Sequence, residues 1–220
     1  MSLLARTGLA AALALLVAAP ALAQRTSFEI VVGPAFNQLG NQSELRVLGQ
    51  TIPGLSADYP TAVGVAGTLR GRVRLGPVGL RTGVGALATG TVFDVTTSIL
   101  GRDDLSLEFL TAHLEAEVGT RVTGGDLHVF AGPELRVLLA RDDEGPLDLG
   151  DVDRYQTALN LGIGGRLKVG PLLIGPEAKL ALGLATFSDD TFTLGSIPVE
   201  LDEGFTLDNL TVGLAVGLGG

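Results

Sequence analysis

Apolar and polar residues alternate along much of this chain with a period of two residues. The clearest stretch is 110–118, where Leu, Ala and Val residues alternate with Thr111, His113, Glu115 and Glu117. A period of two places successive side chains on opposite faces of a strand, whereas an amphipathic helix repeats every three to four residues. Helix propensity in this stretch is high, but the strict alternation favours a strand.

Eight segments show the same alternation, separated by regions rich in turn residues. In chain order they are 26–36, 61–75, 79–93, 110–118, 126–140, 155–169, 172–187 and 205–219. In the second segment Val63, Val65 and Leu69 share one face, and Arg70 and Arg72 lie on the other. Eight is an even number of strands, and it lies at the small end of the range for membrane barrels.

The links between the segments alternate in length. Short links occur at 76–77, 123–125 and 170–171, and long polar links occur at 37–60, 94–105, 141–154 and 188–204. Short turns at one end and long loops at the other are typical of outer-membrane barrels. We therefore predict an all-β fold, an eight-stranded antiparallel up-and-down transmembrane β-barrel.

Alternation alone does not show which face of each strand is in contact with water. The polar face combines Arg, Glu and His with many small residues, as a narrow lumen requires, and the apolar face is nearly free of charge. This composition favours lipid outside the barrel. The alternative is a soluble periplasmic lipocalin-like binder of an apolar ligand, which would place the same apolar residues inside.

The N-terminal region predicts export. Residues 1–23 contain a positive charge at Arg6, an apolar run over 9–19 and the cleavage signature Ala21-Leu22-Ala23, which together resemble a secretory signal peptide. The competing interpretation, a membrane anchor, needs about 20 apolar residues. We predict a barrel domain over 24–220, located in the bacterial outer membrane. The chain has no Cys, so it has no disulfides and no Cys-based metal site.

Charge is distributed unevenly along the chain, whose net charge is −9. The proposed strands, together with Glu108 and Arg121 on either side of the fourth segment, hold eight acids and nine bases, whereas the long loops hold sixteen acids and four bases. Buried charges are costly unless they are paired, and eight strands leave an interior that side chains just fill. We predict a charge network in a mostly plugged lumen, with a proton or ion pathway as the alternative. Its members are Arg70, Arg72, Arg74, Arg81, His113, Glu115, Glu117, Glu134, Arg136, Arg166, Lys168, Glu177 and Lys179.

Two loops are strongly acidic. Carboxylate oxygens suit Ca²⁺ and Mg²⁺, so these loops are candidates for divalent cations or surface partners, although their spacing does not match an EF-hand. A solvated anionic rim is the simpler interpretation. The weak metal candidates are Asp142, Asp143, Glu144, Asp148, Asp151 and Asp153, and the second loop contains Asp189, Asp190, Glu200, Asp202 and Glu203.

The sequence offers little for catalysis. If the turn at 123–125 closes a simple hairpin, His113 lies opposite Glu134 and His128 opposite Gly119. A His–Glu pair needs a nucleophile to act in acyl transfer, and no lumen Ser is predicted beside it. No nucleophile elbow, phosphate-binding loop or dinucleotide fingerprint is present. We predict that the chain is not an enzyme and has no cofactor, and its acidity argues against nucleic-acid partners.

A Gly-Pro motif recurs on the odd-numbered strands, as Val32-Gly33-Pro34-Ala35, Ala131-Gly132-Pro133-Glu134 and Ile174-Gly175-Pro176-Glu177. With this motif the chain resembles the small outer-membrane β-barrel family that includes PorT-like and OmpA-type barrels. Unlike many of these barrels, it ends in Leu218-Gly219-Gly220 without an aromatic residue, and it has no Trp. The aromatic residues near the loop ends supply at most one interfacial belt. They are Tyr59, Phe93, Tyr155, Phe187 and Phe205.

The resemblance and the charge pattern together imply a structural or surface-interaction role in the cell envelope, with outer-membrane lipid as the surroundings. A narrow channel for small solutes or ions is the alternative. The sequence names no ligand, because membrane barrels serve many functions.

Overall fold

The computed structural model describes residues 26–40, 46–47, 50–51, 56–97, 101–144, 147–148, 153–186, 191–194, 197–200 and 205–219. Nearly all of these residues lie in strands. No helix in the described part is long and apolar enough to cross a membrane.

Eight long strands form the body of the fold. They are β1 (Thr26–Gly40), β2 (Ala62–Leu75), β3 (Val78–Thr97), β4 (Gly101–Val122), β5 (Gly125–Glu144), β6 (Tyr155–Val169), β7 (Leu172–Gly183) and β8 (Thr206–Gly219). Each strand pairs antiparallel with its neighbours in the chain, and β1 also pairs with β8. The sheet is therefore closed. The predicted fold, an eight-stranded antiparallel up-and-down barrel, is confirmed.

The two ends of the barrel differ. The turn end carries the short links at 76–77, 123–124 and 170–171 together with both ends of the barrel chain, Thr26 and Gly219. Gly76, Gly124 and Gly170 have φ between +62° and +80°, a region that other residues enter only with strain. The opposite end, which carries the longer links, is called the loop end.

The outer face of the barrel is apolar. Large side chains such as Ile30, Val129 and Ile163 are more than half exposed on it, and Arg70, Glu177 and other charged residues of the same strands are buried inside. In the described strands, charged residues return to the outer face only near the loop end, for example at Glu108 and Arg141. A soluble lipocalin-like barrel requires the reverse orientation, so the described strands contradict that alternative.

Several strands are longer than the alternation predicted. The expected long link 94–105 is mostly strand, because β3 and β4 stay paired up to Thr97 and Gly101. The expected link 141–154 likewise begins with β5, which ends at Glu144. Where a strand rises out of an apolar environment, both of its faces can be polar, so the alternating signal fades while the pairing continues. In contrast, the seventh strand ends at Gly183 rather than Phe187.

Short strands connect the long links at the loop end. Ser56–Asp58 pairs with β3. The others form a separate five-stranded sheet in the order Gln50–Thr51, Arg46–Val47, Ile197–Glu200, Thr191–Leu194 and Leu147–Asp148. Three links of the loop end that are distant in sequence are thereby joined to one another.

Two irregularities change which residues point inward near the loop end. The β3–β4 register shifts between Ala88 and Thr91 and again before Phe93. Gly90, with φ +68°, allows the backbone to adopt this bulge without steric strain. Leu87 and Thr89 point inward before the bulge, and Val92 points inward after it. In β3, the residues that point inward therefore have odd numbers before the bulge and even numbers after it.

The Gly-Pro motifs interrupt pairing on one side of their strands without shifting the register. Between β1 and β8, pairing stops after Val32 and resumes at Ala35, in the same register. The same interruption occurs between β4 and β5 and between β6 and β7. Proline has no N–H to donate to the ladder, and the preceding glycine lies against the neighbouring backbone, where a Cβ would be 2.1 Å from the Val212 oxygen at Gly33.

Candidate functional site

The candidate site is the barrel interior, which contains three regions along its length. An ionic half lies towards the turn end and holds the buried Arg and Glu side chains. A neutral band of Asn and Thr side chains lies in the middle. An apolar half of Leu, Phe and Ala side chains lies towards the loop end. Alternation predicted inward and outward faces but not this division.

Glu177 is the centre of the ionic half. Its carboxylate accepts hydrogen bonds from Arg70 Nη1 at 2.6 Å, Arg166 Nη2 at 2.7 Å and Arg81 Nη2 at 3.1 Å. Glu29 Oε2 accepts from Arg70 at 2.7 Å and from Arg166 at 3.1 Å. These five side chains come from five different strands and are all nearly inaccessible. Together they cross-link opposite walls of the barrel.

A second group lies closer to the turn end. Arg72 Nη2 donates to Glu117 Oε1 at 2.6 Å and to Asp126 Oδ1 at 3.0 Å. Arg74 Nη1 lies 3.3 Å from Asp126 Oδ2, and His128 Nδ1 lies 2.9 Å from Asp126 Oδ1. Asp126 therefore contacts side chains from both β2 and β5.

A third group joins the ionic half to the neutral band. Glu134 accepts from Lys179 Nζ at 2.7 Å, Arg136 Nε at 2.9 Å and Asn160 Nδ2 at 3.0 Å. Arg136 also donates to the Leu207 carbonyl oxygen at 2.8 Å. Charge-assisted hydrogen bonds of this kind are the strong ones, so this group fixes β5, β6, β7 and β8 relative to one another.

Aromatic contact adds to the ionic half. The Arg81 guanidinium carbon lies 3.6 Å from the Phe130 ring centroid, a cation–π geometry. Arg81 Nε lies 3.1 Å from Glu115 Oε2. Phe130 in turn leaves no space at Gly162, where a Cβ would be 2.1 Å from the ring.

Most of the predicted lumen residues come together as ion pairs. Those with an opposite charge within 4.0 Å are Arg70, Arg72, Arg74, Arg81, Glu115, Glu117, Glu134, Arg136, Arg166, Glu177 and Lys179. Lys168 differs, since it is exposed at the turn end. The predicted network omitted Glu29 and Asp126, although both lie at inward positions of alternating strands and alternation could have identified them.

His113 lies opposite Glu134 in the register, and His128 lies opposite Gly119, both as the hairpin predicted. Neither ring nitrogen of His113 has a hydrogen-bond partner among the described residues. His113 instead lines a small cavity of about 20 Å³ together with Arg81, Glu115 and Lys179. Such a polar cavity has room for about one water molecule. Among the described residues, no hydrogen bond joins either His ring to a Glu side chain, and His128 Nε2 lies 3.9 Å from Glu177 Oε2.

The neutral band lies between the two halves along β1, β3 and β8. Asn37 Nδ2 donates to the Thr89 carbonyl oxygen at 2.9 Å, and Asn209 Nδ2 donates to Asn37 Oδ1 at 2.7 Å. Thr211 Oγ1 donates to Asn209 Oδ1 at 2.9 Å. The Thr89 hydroxyl accepts from the Leu107 backbone N–H at 3.0 Å. This chain of bonds satisfies buried polar groups without using charge.

The apolar half closes the interior towards the loop end. The largest side chains of this cluster are at most 1 % exposed, and they come from β1, β4 and β8 and the residue before β8: Leu39, Leu105, Leu107, Phe109, Phe205 and Leu207. The Phe205 ring packs against Tyr59, with 6.1 Å between their centroids. Burial raises the pKa of Tyr59 to about 12. Phe205 therefore belongs to the interior, which corrects its predicted place in an outward aromatic belt.

The other aromatic residues near the loop ends give no belt that can be described. Tyr155 is 65 % exposed on the outer face, as an interfacial residue would be. The side chain of Phe93 and the whole of Phe187 lie outside the described part.

The acidic loop candidates lie almost entirely outside the described part. Asp142 and Asp153 are exposed. The side chains of Asp143, Glu144 and Asp148, and all of Asp151, lie outside it, as do Asp189, Asp190, Asp202, Glu203 and the Glu200 side chain. No group of three or more His, Asp or Glu residues among those described could hold a metal ion. Cation binding at the loops stays a prediction.

Comparison with known proteins defines the class of fold. No family model matches the chain, and no curated protein matches it. Among solved structures, the outer membrane protein OprG from Pseudomonas aeruginosa superimposes with a TM-score of 0.55 at 12 % identity, covering 87 % of this chain and 95 % of that chain. Neisserial surface protein A is 14 % identical, with a TM-score of 0.42, over 87 % of this chain and 96 % of that one. The chain thus has the fold of small eight-stranded outer-membrane barrels. The narrower resemblance to PorT-like barrels stays a prediction.

Proposed function

We propose that the chain is an outer-membrane barrel with a closed, non-conducting interior and a structural or surface-interaction role in the cell envelope. The observation that carries this proposal is the division of the interior, in which, among the described residues, an ion-paired half and a buried apolar half follow one another along the barrel axis. Membrane insertion depends on the residues of the outer face, and closure of the interior depends on the buried residues.

Membrane insertion is supported by the outer face. Leu, Val, Ile and Phe side chains are exposed around the whole barrel, including Phe28 at 64 % and Val63 at 64 %. A soluble protein rarely exposes contiguous apolar surface on this scale. Among the described strands, closure leaves no unpaired barrel edge, and pairing of this kind is what lipid requires of a spanning structure. The short turns and both barrel termini would then face the periplasm.

Closure is supported by the buried side chains. A conducting path needs a continuous polar lining, and the apolar half provides none among the described residues. In the ionic half, Arg70, Arg166 and Glu177 are each at most 5 % exposed, and both arginines donate hydrogen bonds to Glu177. A narrow channel, the alternative, would require this network to open.

The first test concerns insertion. The full chain is expressed in a Gram-negative host, the outer membrane is separated, and unheated and boiled samples are compared by electrophoresis. We expect recovery in the outer-membrane fraction with a mobility shift on boiling, because a closed barrel stays compact in detergent until heated. Soluble periplasmic protein without a shift would contradict insertion.

The second test concerns closure. The purified, heat-modifiable barrel is inserted into planar bilayers, with a large porin as the positive control. We expect no single-channel steps from the wild type at moderate voltage. Regular conductance steps would support the narrow channel instead and contradict a closed interior, while leaving the membrane barrel intact.

A further inference from the structure

The turn end of the barrel opens into a basic pocket. Its volume is about 340 Å³, and its lining includes Arg72, Arg74, Arg121 and Lys168 with Asp126 as the one acid among the described lining residues. These cations reach the pocket from β2, β4 and β6. We call this pocket the basic mouth.

The charges of the basic mouth are not balanced. Arg72 and Arg74 are neutralised by Glu117 and Asp126, which lie 2.6 Å and 3.3 Å from them respectively. Arg121 and Lys168 are exposed, and no ion pair joins either of them to a described residue. Two positive charges therefore remain uncompensated, in a chain whose net charge is −9.

The polar groups in the pocket also favour an anion. Arg72 also lines the pocket and is 4 % exposed, so its guanidinium charge lies largely out of water beside it. Ser27 and Thr26 contribute hydroxyl groups to the same lining. Low-dielectric walls concentrate the field of the charges that line a cleft, so these cations favour an anion in the pocket.

We propose that the basic mouth binds phosphate groups. Two uncompensated cations match the charge of a phosphate, which carries up to two negative charges, better than that of a single carboxylate. Guanidinium and ammonium groups are the usual phosphate ligands in proteins. The phosphate comes from the headgroup of a phospholipid or from a free phosphate. A lipid headgroup can reach the pocket because the pocket lies where the apolar outer face ends, near Phe28 and Leu218.

The test uses the full-length barrel in a maltoside detergent free of phosphate, so it depends neither on conductance nor on cellular location. Inorganic phosphate and a phosphatidic acid with two six-carbon chains are titrated separately and followed by ³¹P NMR. The variant Arg121→Gln/Lys168→Gln removes the two uncompensated charges. The matched control, Arg141→Gln/Arg154→Gln, removes two exposed arginines at the loop end.

We expect saturable binding to the wild type, at least about tenfold weaker binding to the Arg121/Lys168 variant, and less than twofold change in the control. Tighter binding of phosphatidic acid than of inorganic phosphate identifies a lipid headgroup, and equal affinities identify free phosphate. Absence of saturation, equal losses in both variants, or displacement by chloride at equal concentration would overturn the proposal. Boiling shifts of each variant establish that it is folded.

Discussion

The two halves of the barrel interior are both filled by buried side chains, but with opposite chemistry. In the ionic half, Arg70, Arg166 and Glu177 fill the lumen with charge and are held by hydrogen bonds of 2.6–3.1 Å. In the apolar half, Leu107 and Phe109 fill the lumen and are 1 % exposed. One half is specified by directional bonds and the other by shape.

This difference predicts different responses to mutation. A buried ion pair contributes little net stability, because the Coulomb attraction is offset by desolvation, but removing one partner leaves an uncompensated buried charge. Removing an apolar side chain leaves a cavity whose cost depends on how far the surroundings relax. The ionic half is therefore expected to fix the arrangement of the strands, while the apolar half contributes more of the net stability.

The largest effect is expected for Glu177→Gln. This change leaves three buried guanidinium groups without their shared carboxylate, so we expect the free energy of unfolding to fall by about 3–5 kcal/mol. Urea titration, followed by the fraction of compact barrel on unboiled gels, measures it. Glu108→Gln, on the exposed outer face, is the control, for which about 0.5 kcal/mol or less is expected. Equal midpoints for the two variants would mean that the ionic half is not held by Glu177.

The next effect is expected for Leu107→Ala in the apolar half. We expect a loss of about 3 kcal/mol, because the site is fully surrounded and a cavity remains. Leu110→Ala on the same strand is the matched control, since Leu110 is 46 % exposed on the outer face and no enclosed cavity results. The same urea titration decides between them, and a loss no larger at Leu107 than at Leu110 would show that this half is loosely packed.

A smaller effect is expected for Gly83→Ala, which tests how tightly the ionic half is filled. A Cβ at Gly83 would lie 2.5 Å from the Leu69 oxygen and 2.9 Å from His113 Cε1. We expect a loss of about 2 kcal/mol from overpacking. Gly67→Ala has no atom within 4 Å of the added Cβ and should change stability little. If the Gly83 variant were as stable as the Gly67 variant, the ionic half would have room for an added methyl group at Gly83.

The smallest effect is expected for Phe130→Leu, which removes the aromatic face below Arg81 while keeping an apolar side chain. We expect a loss of about 1 kcal/mol beyond that of Phe28→Leu, whose ring is 64 % exposed outside, because a desolvated cation–π contact contributes on this scale. Urea midpoints of the two variants provide the comparison. Identical midpoints would show that the cation–π contact does not stabilise the ionic half.

Much of the fold could be predicted from the sequence, because the strands and turns of an antiparallel barrel each leave a pattern within a short stretch of the chain. Residues 155–169 alternate along their whole length, and β6 has those bounds. The hairpin at 123–124 sets the register of His113 against Glu134, since a short turn leaves little freedom in pairing. The pattern was less informative at 94–105, where β3 and β4 stay paired although apolar and polar residues do not alternate in the sequence.

The candidate site could be predicted only as a set of inward residues. Glu29 and Arg70 are adjacent in register, so their pairing follows once β1 and β2 are neighbours. The bond between Arg70 and Glu177 joins residues on strands that are not neighbours, and no periodicity in the chain reports a contact across the lumen.

The sequence by itself determined the number of barrel strands, their inward and outward faces and the turns that join them, because period two and turn glycines act over a few residues. Only the tertiary structure decided which charges meet, that Phe205 and Val92 point inward, and that the interior divides into an ionic and an apolar half. These features depend on barrel closure and on bulges such as the one at Gly90. Both set distances between residues that are far apart in the chain.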